Sequence, residues 1–208
     1  MSAGPQTRRH YHSPIREERA ARTRAAVLAA ATRLFNERGW AASGMRDIAH
    51  AAGVAVETVY ASFPSKAELL VTALEEALVG DSSPVPLTQR PEFAALGDGD
   101  RPARVAMAAA LLTDVHKRTA ALYLALRQAA PGNPHLAEHL ILCDTRRRQN
   151  IERGLTFVKG AALTGEECDG LSAVLDVDVY QQLTAGCGWP PQRYASWAAG
   201  VIDKLLGY

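Results

Sequence analysis

What this sequence lacks narrows its chemistry before any motif is read. Its three cysteines, Cys143, Cys168 and Cys187, share no CxxC spacing, so neither a disulfide framework nor a local zinc site is encoded. Buried thiols acting as small hydrophobes are the simpler reading. No run approaches the roughly 18 consecutive apolar residues that a membrane span needs. The opening MSAGPQTRRHYHSPIREERA is polar and basic, without the apolar core of a secretory signal. A cytoplasmic, nucleoid-associated location is therefore expected, with no membrane partner. Nucleophile elbow, P-loop, glycine-rich dinucleotide turn and HExxH are missing as well, so neither an enzyme nor a cofactor or metal is expected. No segment reads convincingly as a strand.

What is present is an ordinary globular composition, 48% apolar and 22% charged over 208 residues, with room for a small module and a larger body. The net charge of +1 conceals an asymmetry: residues 1–66 carry ten Lys/Arg against five Asp/Glu, and residues 67–208 carry thirteen against seventeen. A basic head on a mildly acidic body suggests that the head meets a polyanion, although an excess of this size is also common on plain solvated surfaces.

Periodicity then places the helices. Val27, Ala30, Ala31, Leu34 and Phe35 recur at i, i+3, i+4, i+7 and i+8 between Thr23 and Arg38, and Gly39 ends the stripe. Met45, Ile48, Ala49 and Ala52 repeat that spacing over two turns before Gly53. The next stretch, VAVETVY, is rich in β-branched residues and reads as a strand by propensity. Counting reverses this: Val56, Val59, Tyr60 and Phe63 fit i, i+3, i+4 and i+7, whereas a strand would put Val59 and Phe63 on its polar face. A fourth helix opens with a capping box, Ser65 and Glu68. Residues 81–101, rich in Pro, Gly and Asp, read as a linker or long loop. Beyond them helices are expected at about 102–118, 119–130, 135–160, 165–185 and 191–206.

Two short helices around a glycine-containing turn, inside a unit of about 45 residues, describe a helix-turn-helix, whose second helix enters the major groove. Helical geometry assigns sides to that second helix. Val59 and Phe63 point to the small core, Glu57 and Ala61 project outward, and Thr58 and Tyr60 flank the outer face. Outer residues reach base edges and flanking hydroxyls suit phosphate oxygens. Lys66 adds a cation at the next helix start. Val56 and Ala61 can pack on thymine methyls, and Glu57 can accept from cytosine N4. Two plainer readings stay open: Tyr60 as a half-buried core aromatic, and Glu57 as a solvated charge.

RAAVLAAATRLFNERGW, MRDIAHAAGV and TVYASFPSKAELL together resemble the DNA-binding domain of the TetR/AcrR family of bacterial transcriptional regulators, over about residues 22–78. The resemblance implies an all-α protein with an N-terminal three-helix helix-turn-helix domain and a larger C-terminal helical domain for ligand binding and dimerisation. The expected organisation is a basic flexible arm at 1–20, the DNA-binding domain at 21–80 and the C-terminal domain at 81–208. The expected DNA-facing residues are Ser43, Gly44, Arg46, Ala55, Val56, Glu57, Thr58, Tyr60, Ala61, Ser62 and Lys66. Thr58, Tyr60 and Lys66 hold positions that relatives commonly use on the backbone. Two departures stand out. Ala55 and Gly44 occupy positions where relatives usually carry a capping hydroxyl, and losing a cap to Ala costs about 1 kcal/mol, less to Gly. Ser43 is expected to compensate by capping or by touching phosphate. The arm, with Arg8, Arg9, Arg16, Arg19, Arg22 and Arg24, is expected to order along DNA on binding, or else to remain a floppy tail.

In the body, polar or adaptable residues on apolar helices are the effector-site candidates: Met107, His116, Tyr123, Arg127, His139, Cys143, Asn150 and Phe157. RRRQN (146–150) reads mostly as a solvated face, with one Arg able to turn inward. Leu171, Val174, Leu175, Leu183, Trp197, Val201, Ile202, Leu205 and Leu206 are expected to pair with a second copy, or else to bury within one chain. The expected partners are a palindromic double-stranded DNA operator, a small hydrophobic or amphipathic effector, and self as a homodimer. The leading reading is a repressor released by that effector. The alternatives are a regulator with a vestigial ligand site controlled by a partner protein and, more remotely, an enzyme.

Overall fold

The computed structural model describes residues 14–207, apart from 82 and 84. Among them every regular element is helical and none is a strand. The elements are α1 (Pro14–Arg38), α2 (Met45–Ala52), α3 (Val56–Ser62), α4 (Lys66–Val79), α5 (Pro91–Ala94), α6 (Arg101–Ala129), α7 (Pro134–Lys159), α8 (Gly165–Val174), α9 (Val177–Gln181) and α10 (Pro191–Leu205). None is long and apolar enough to cross a membrane.

The N-terminal unit closes around Val27, Ala31, Leu34, Phe35, Ile48, Val59, Phe63, Leu69 and Leu70, all buried. That closure explains α3. A seven-residue helix is marginal by itself, and its Val, Thr and Tyr cost up to about 0.7 kcal/mol each in propensity. It also lacks a side-chain cap, with Ala55 at its N-cap position. Val59 and Phe63, both fully buried, return about 1.5–3 kcal/mol each. Burial therefore outweighs propensity, and the strand preference of VAVETVY loses. Gly53, at φ 68°, supplies the left-handed turn between α2 and α3, and Val54 N–H there donates to the Ala49 carbonyl at 3.0 Å.

The body is built on α6 and α7, joined by a short 3₁₀ turn at Ala130–Gly132 and therefore antiparallel. Arg104 Nη1 reaches the Phe157 carbonyl at 3.5 Å near the far ends of the pair. Helix α10 packs along α6, as does α4 from the N-terminal unit.

Four expected boundaries are corrected. Helix α6 runs unbroken through 118–119, because Thr119 turns its hydroxyl to the Val115 carbonyl at 2.8 Å and stays within the helix. The expected helix at 165–185 divides at Leu175–Asp176; Asp176 caps α9 by accepting from Asp178 N–H, and a π turn follows at Gln182–Gly186. The linker is folded in part. Leu87, Phe93 and Leu96 are buried within its short helical turns. Gly154 of α7 admits them, since a Cβ there would stand 3.2 Å from Leu96 Cδ1. Helix α1 starts at Pro14, so residues 14–20 of the expected flexible arm are helical. Arg8 and Arg9 lie outside the described residues.

Candidate nucleic-acid interface and effector cavity

Helix α3 presents one face to its own core and the opposite face to solvent. Glu57 and Ala61 are exposed, Val56, Thr58 and Ser62 are half-buried, and Tyr60 is 51% exposed. Tyr60 is therefore not a core aromatic. Arg46 on α2 and Ala55 at the head of α3 are exposed on the same motif, and Gly44 is half-buried.

Two cations fasten this unit. Arg24 of α1 donates from Nη1 to the Ser62 carbonyl at 2.7 Å, and its guanidinium lies 4.0 Å over the Phe63 ring. It holds the end of α3 against α1 and does not belong to a mobile arm. Lys66 Nζ donates to the Trp40 carbonyl and sits 4.0 Å over the Trp40 ring. Trp40 in turn stacks on Phe35. Burial pushes the Lys66 ammonium pKa down, opposed by the nearby charge of Asp47. A phosphate at this helix start would meet an ammonium already anchored through one of its three protons. Neither the Trp40 anchor nor the Arg24 clasp is signalled by helical periodicity, because both span distant segments.

Ser43 corrects an expectation. It is fully buried, and its hydroxyl shares its one proton between the Gly39 and Leu34 carbonyls at 2.7 and 3.1 Å. It ties off the end of α1, and neither caps α2 nor faces a phosphate. The N-cap of α2 is Gly44, whose N–H donates to Asp47 Oδ2 at 3.0 Å.

The body encloses a cavity of about 110 Å³. Its walls come from α4 (Leu74, Glu75, Leu78), the 81–100 segment (Leu87, Phe93, Leu96), α6, α7, the α8–α9 junction and Ile202 of α10. Four candidates line it: His116, Tyr123, Cys143 and Asn150. Four do not. Met107 packs against the surrounding core, and Phe157 is 46% exposed and meets Phe93 edge-on. Arg127 is paired with Asp178 and near Asp176. His139 is buried, but away from the cavity.

Charge in the cavity wall is matched. Arg147 is the arginine that turns inward; it pairs with Asp176 at 2.7 Å and stands 3.9 Å from Asp144. Arg146 faces Glu75 at 3.7 Å. His116, 2% exposed, shares Nδ1 with the Tyr194 hydroxyl at 3.2 Å. Burial, reinforced by the charge of Arg147, lowers its pKa to about 3, so the ring is neutral. Burial pushes the Cys143 thiol up to about 11, so it is not a reactive thiolate. Among the described residues no cluster of His, Cys, Asp and Glu could hold a metal ion. The aliphatic part of the lining was invisible in a search for polar residues, and the buried Leu and Phe of the linker were hidden by its loop-like composition.

The residues expected to pair with a second copy divide. Leu171, Leu175, Ile202 and Leu206 are buried within the single chain, which removes them from any outer surface. Val174, Leu183, Trp197 and Val201 are half-buried, and Leu205 is 40% exposed.

Comparison with known proteins agrees with this geometry. Residues 27–73 match the family described as bacterial regulatory proteins, tetR family. No curated protein matches the chain in sequence. Among solved structures, a fatty acid degradation regulator from Bacillus halodurans superposes with TM-score 0.64 at 18% identity, over 89% of this chain and 95% of its own. A TetR-family transcriptional regulator from Rhodococcus sp. gives 0.66 at 17% identity, over 90% and 100%. A TetR-family member from Streptomyces coelicolor A3 gives 0.60 at 21% identity, over 89% and 99%. Residues 27–73 are thus a TetR-family helix-turn-helix unit, and the chain as a whole has the fold of that family's regulators.

Proposed function

We propose that the protein is a homodimeric transcriptional repressor that leaves a palindromic operator when a small molecule enters the body. The observation that carries the DNA-binding part is the outward face of α3, where Glu57, Tyr60 and Ala61 stand free while Val59 and Phe63 are spent on the core. Thr58, Tyr60 and the α4 start contact phosphates in this reading, and Val56, Glu57 and Ala61 face base edges. Arg46 and the Gly44 backbone border the same groove. One short helix reads too few base pairs alone, so two copies related by a two-fold axis meet two half-sites. Val174, Leu183, Trp197, Val201 and Leu205 form the contact between copies. The working division is an arm before α1, a DNA-binding domain through α4, and a body from residue 81 that acts in the cytoplasm on chromosomal DNA.

Release follows from a shared wall. Helix α4 contributes Leu74, Glu75 and Leu78 to the cavity and its first turn to the DNA-binding unit. Arg118 of α6 holds the far end of α4, donating to the Ala77 and Leu78 carbonyls at 2.8 and 3.3 Å. An occupant that spreads α4 from α6 shifts the population toward a form in which the recognition helices no longer match successive major grooves. One structural neighbour is a fatty acid degradation regulator, and the apolar cavity supports a lipid-like occupant here.

Selecting genomic fragments on the purified protein tests this. An enriched palindrome, footprinted on both half-sites and released by metabolite extract, is the expected result. Enrichment without a repeated motif overturns operator recognition. A palindrome that stays bound with every extract fraction overturns effector release and favours control by a partner protein.

A further inference from the structure

The cavity is apolar along most of its wall, yet polar side chains in it keep hydrogen-bonding groups unused, among them the buried Nε of Arg147. His116 is 2% exposed, lines the space and uses only Nδ1; among the described residues its Nε2 makes no hydrogen bond. Asn150 lines the same space, and its amide makes no described hydrogen bond. The two belong together. Helices α6 and α7 are antiparallel, with Tyr123 of α6 set against Cys143 of α7. Seven residues along each helix from that pair, the same register places His116 across from Asn150.

Chemistry sets the polarity of this pair. A phenol is the better acid and an imidazole nitrogen the better base, so the Tyr194 hydroxyl donates to His116 Nδ1. That leaves the proton on Nε2, aimed at the cavity. Asn150, half-buried, offers two more N–H donors beside its own carbonyl oxygen. Donors facing a mostly apolar space make an acceptor oxygen the complementary group for this site.

Charge excludes the obvious alternatives. Arg147 pairs closely with Asp176 at 2.7 Å and stands 3.9 Å from Asp144, with only its buried Nε unused, and Arg146 faces Glu75 at 3.7 Å. A carboxylate brought into the cavity competes with the carboxylates already beside Arg146 and Arg147, and an ammonium with the arginines already beside Glu75 and Asp176. Size is bounded too: at about 10–15 Å³ per water-sized unit, the space takes roughly seven to eleven such units.

We infer that the effector is an uncharged molecule of about seven to eleven non-hydrogen atoms, hydrocarbon over most of its length, with one acceptor oxygen of ketone or ester type held between His116 and Asn150. The inference rests on the reading of the cavity as the effector site. It separates this chain from a sensor of free fatty acids, which carry a charged head.

Calorimetric titration of the purified full-length protein at pH 7.5 with 2-octanone, octanoate, octylamine and oxygen-free propylbenzene tests it. 2-Octanone is expected to bind at least about tenfold more tightly than the other three. Asn150→Leu and His116→Phe are each expected to erase its advantage over propylbenzene while propylbenzene still binds; if His116→Phe fails to fold, Asn150→Leu decides alone. Octanoate or octylamine binding as well as the ketone overturns the neutral-effector inference and leaves the cavity reading standing. Propylbenzene matching the ketone on the unmodified protein overturns the acceptor site. No binding by any of the four overturns the cavity as an effector site, and the inference with it.

Discussion

At the scale of single residues, the side chains that matter most are those whose surroundings contradict their chemistry. Glu57 is an exposed carboxylate on the face proposed to meet DNA, where phosphate would repel it unless a cytosine N4 donates to it or a nearby Arg pairs with it. Glu57→Gln should change binding by different factors on operators that differ at the contacted base pair, by about 1–3 kcal/mol at that position. Equal strengthening on every sequence, measured by fluorescence anisotropy, would demote it to a background charge. His116 is the second case. Its pKa in the folded chain is lowered to about 3, against about 6.5 when unfolded. Between these values the unfolded chain binds the extra proton, so stability is full above pH 6.5 and falls as pH drops toward 3. The loss approaches about 1.4 kcal/mol per pH unit well below 6.5. His139, also lowered by burial, adds to it in the same direction. Chemical denaturation at pH 7 and pH 5 should show this loss, and His116→Gln should flatten it. Ser43 teaches a related lesson: its position beside the α2 start suggested a cap, but two carbonyls at the end of α1 claim its hydroxyl.

At the scale of elements, α3 and α4 carry the proposed mechanism. The inward and outward faces of α3 were legible because period 3.6 needs only local spacing, and Val59 and Phe63 are buried as that spacing requires. The clasp on α3 was not legible, since Arg24 reaches Ser62 from 38 residues away. Helix α4 is held at both ends, by Ser65 accepting from Glu68 N–H at its start and by Arg118 at its finish. Arg118→Met removes both donors from the last carbonyls of α4. The expected cost is about 1–2 kcal/mol in stability, moderated because water replaces part of the lost bonding. Operator affinity without effector should fall about three- to tenfold, since α4 then no longer holds the recognition helices in place. A variant that loses stability but keeps operator affinity would show that this contact is structural only.

At the scale of the whole molecule, the charge asymmetry predicts how binding responds to salt. Removing residues 2–13 deletes Arg8 and Arg9 and leaves α1 intact from Pro14. If those arginines lie on phosphates, the slope of log K against log salt should drop by about 1.8, at about 0.9 per phosphate contact. Unchanged affinity and slope would show that the segment takes no part. The body was only partly readable. Helices from residue 101 onward were recognisable as helices, yet α6 proved continuous, the linker carries part of the cavity wall, and only four of eight effector candidates line the space.

The sequence by itself determined an all-helical chain, a helix-turn-helix at its N-terminal end and the sides of the recognition helix. Those properties follow from periodicity, turn glycines and charge counts, all local in the chain. Tertiary structure alone decided that Ser43 is buried and that Arg24 clasps the end of α3, that Leu171, Leu175, Ile202 and Leu206 are consumed within one chain, and that His116 and Asn150 line one cavity. Each depends on the register between helices distant in sequence, and that register is set by packing volume and burial, which no local pattern records.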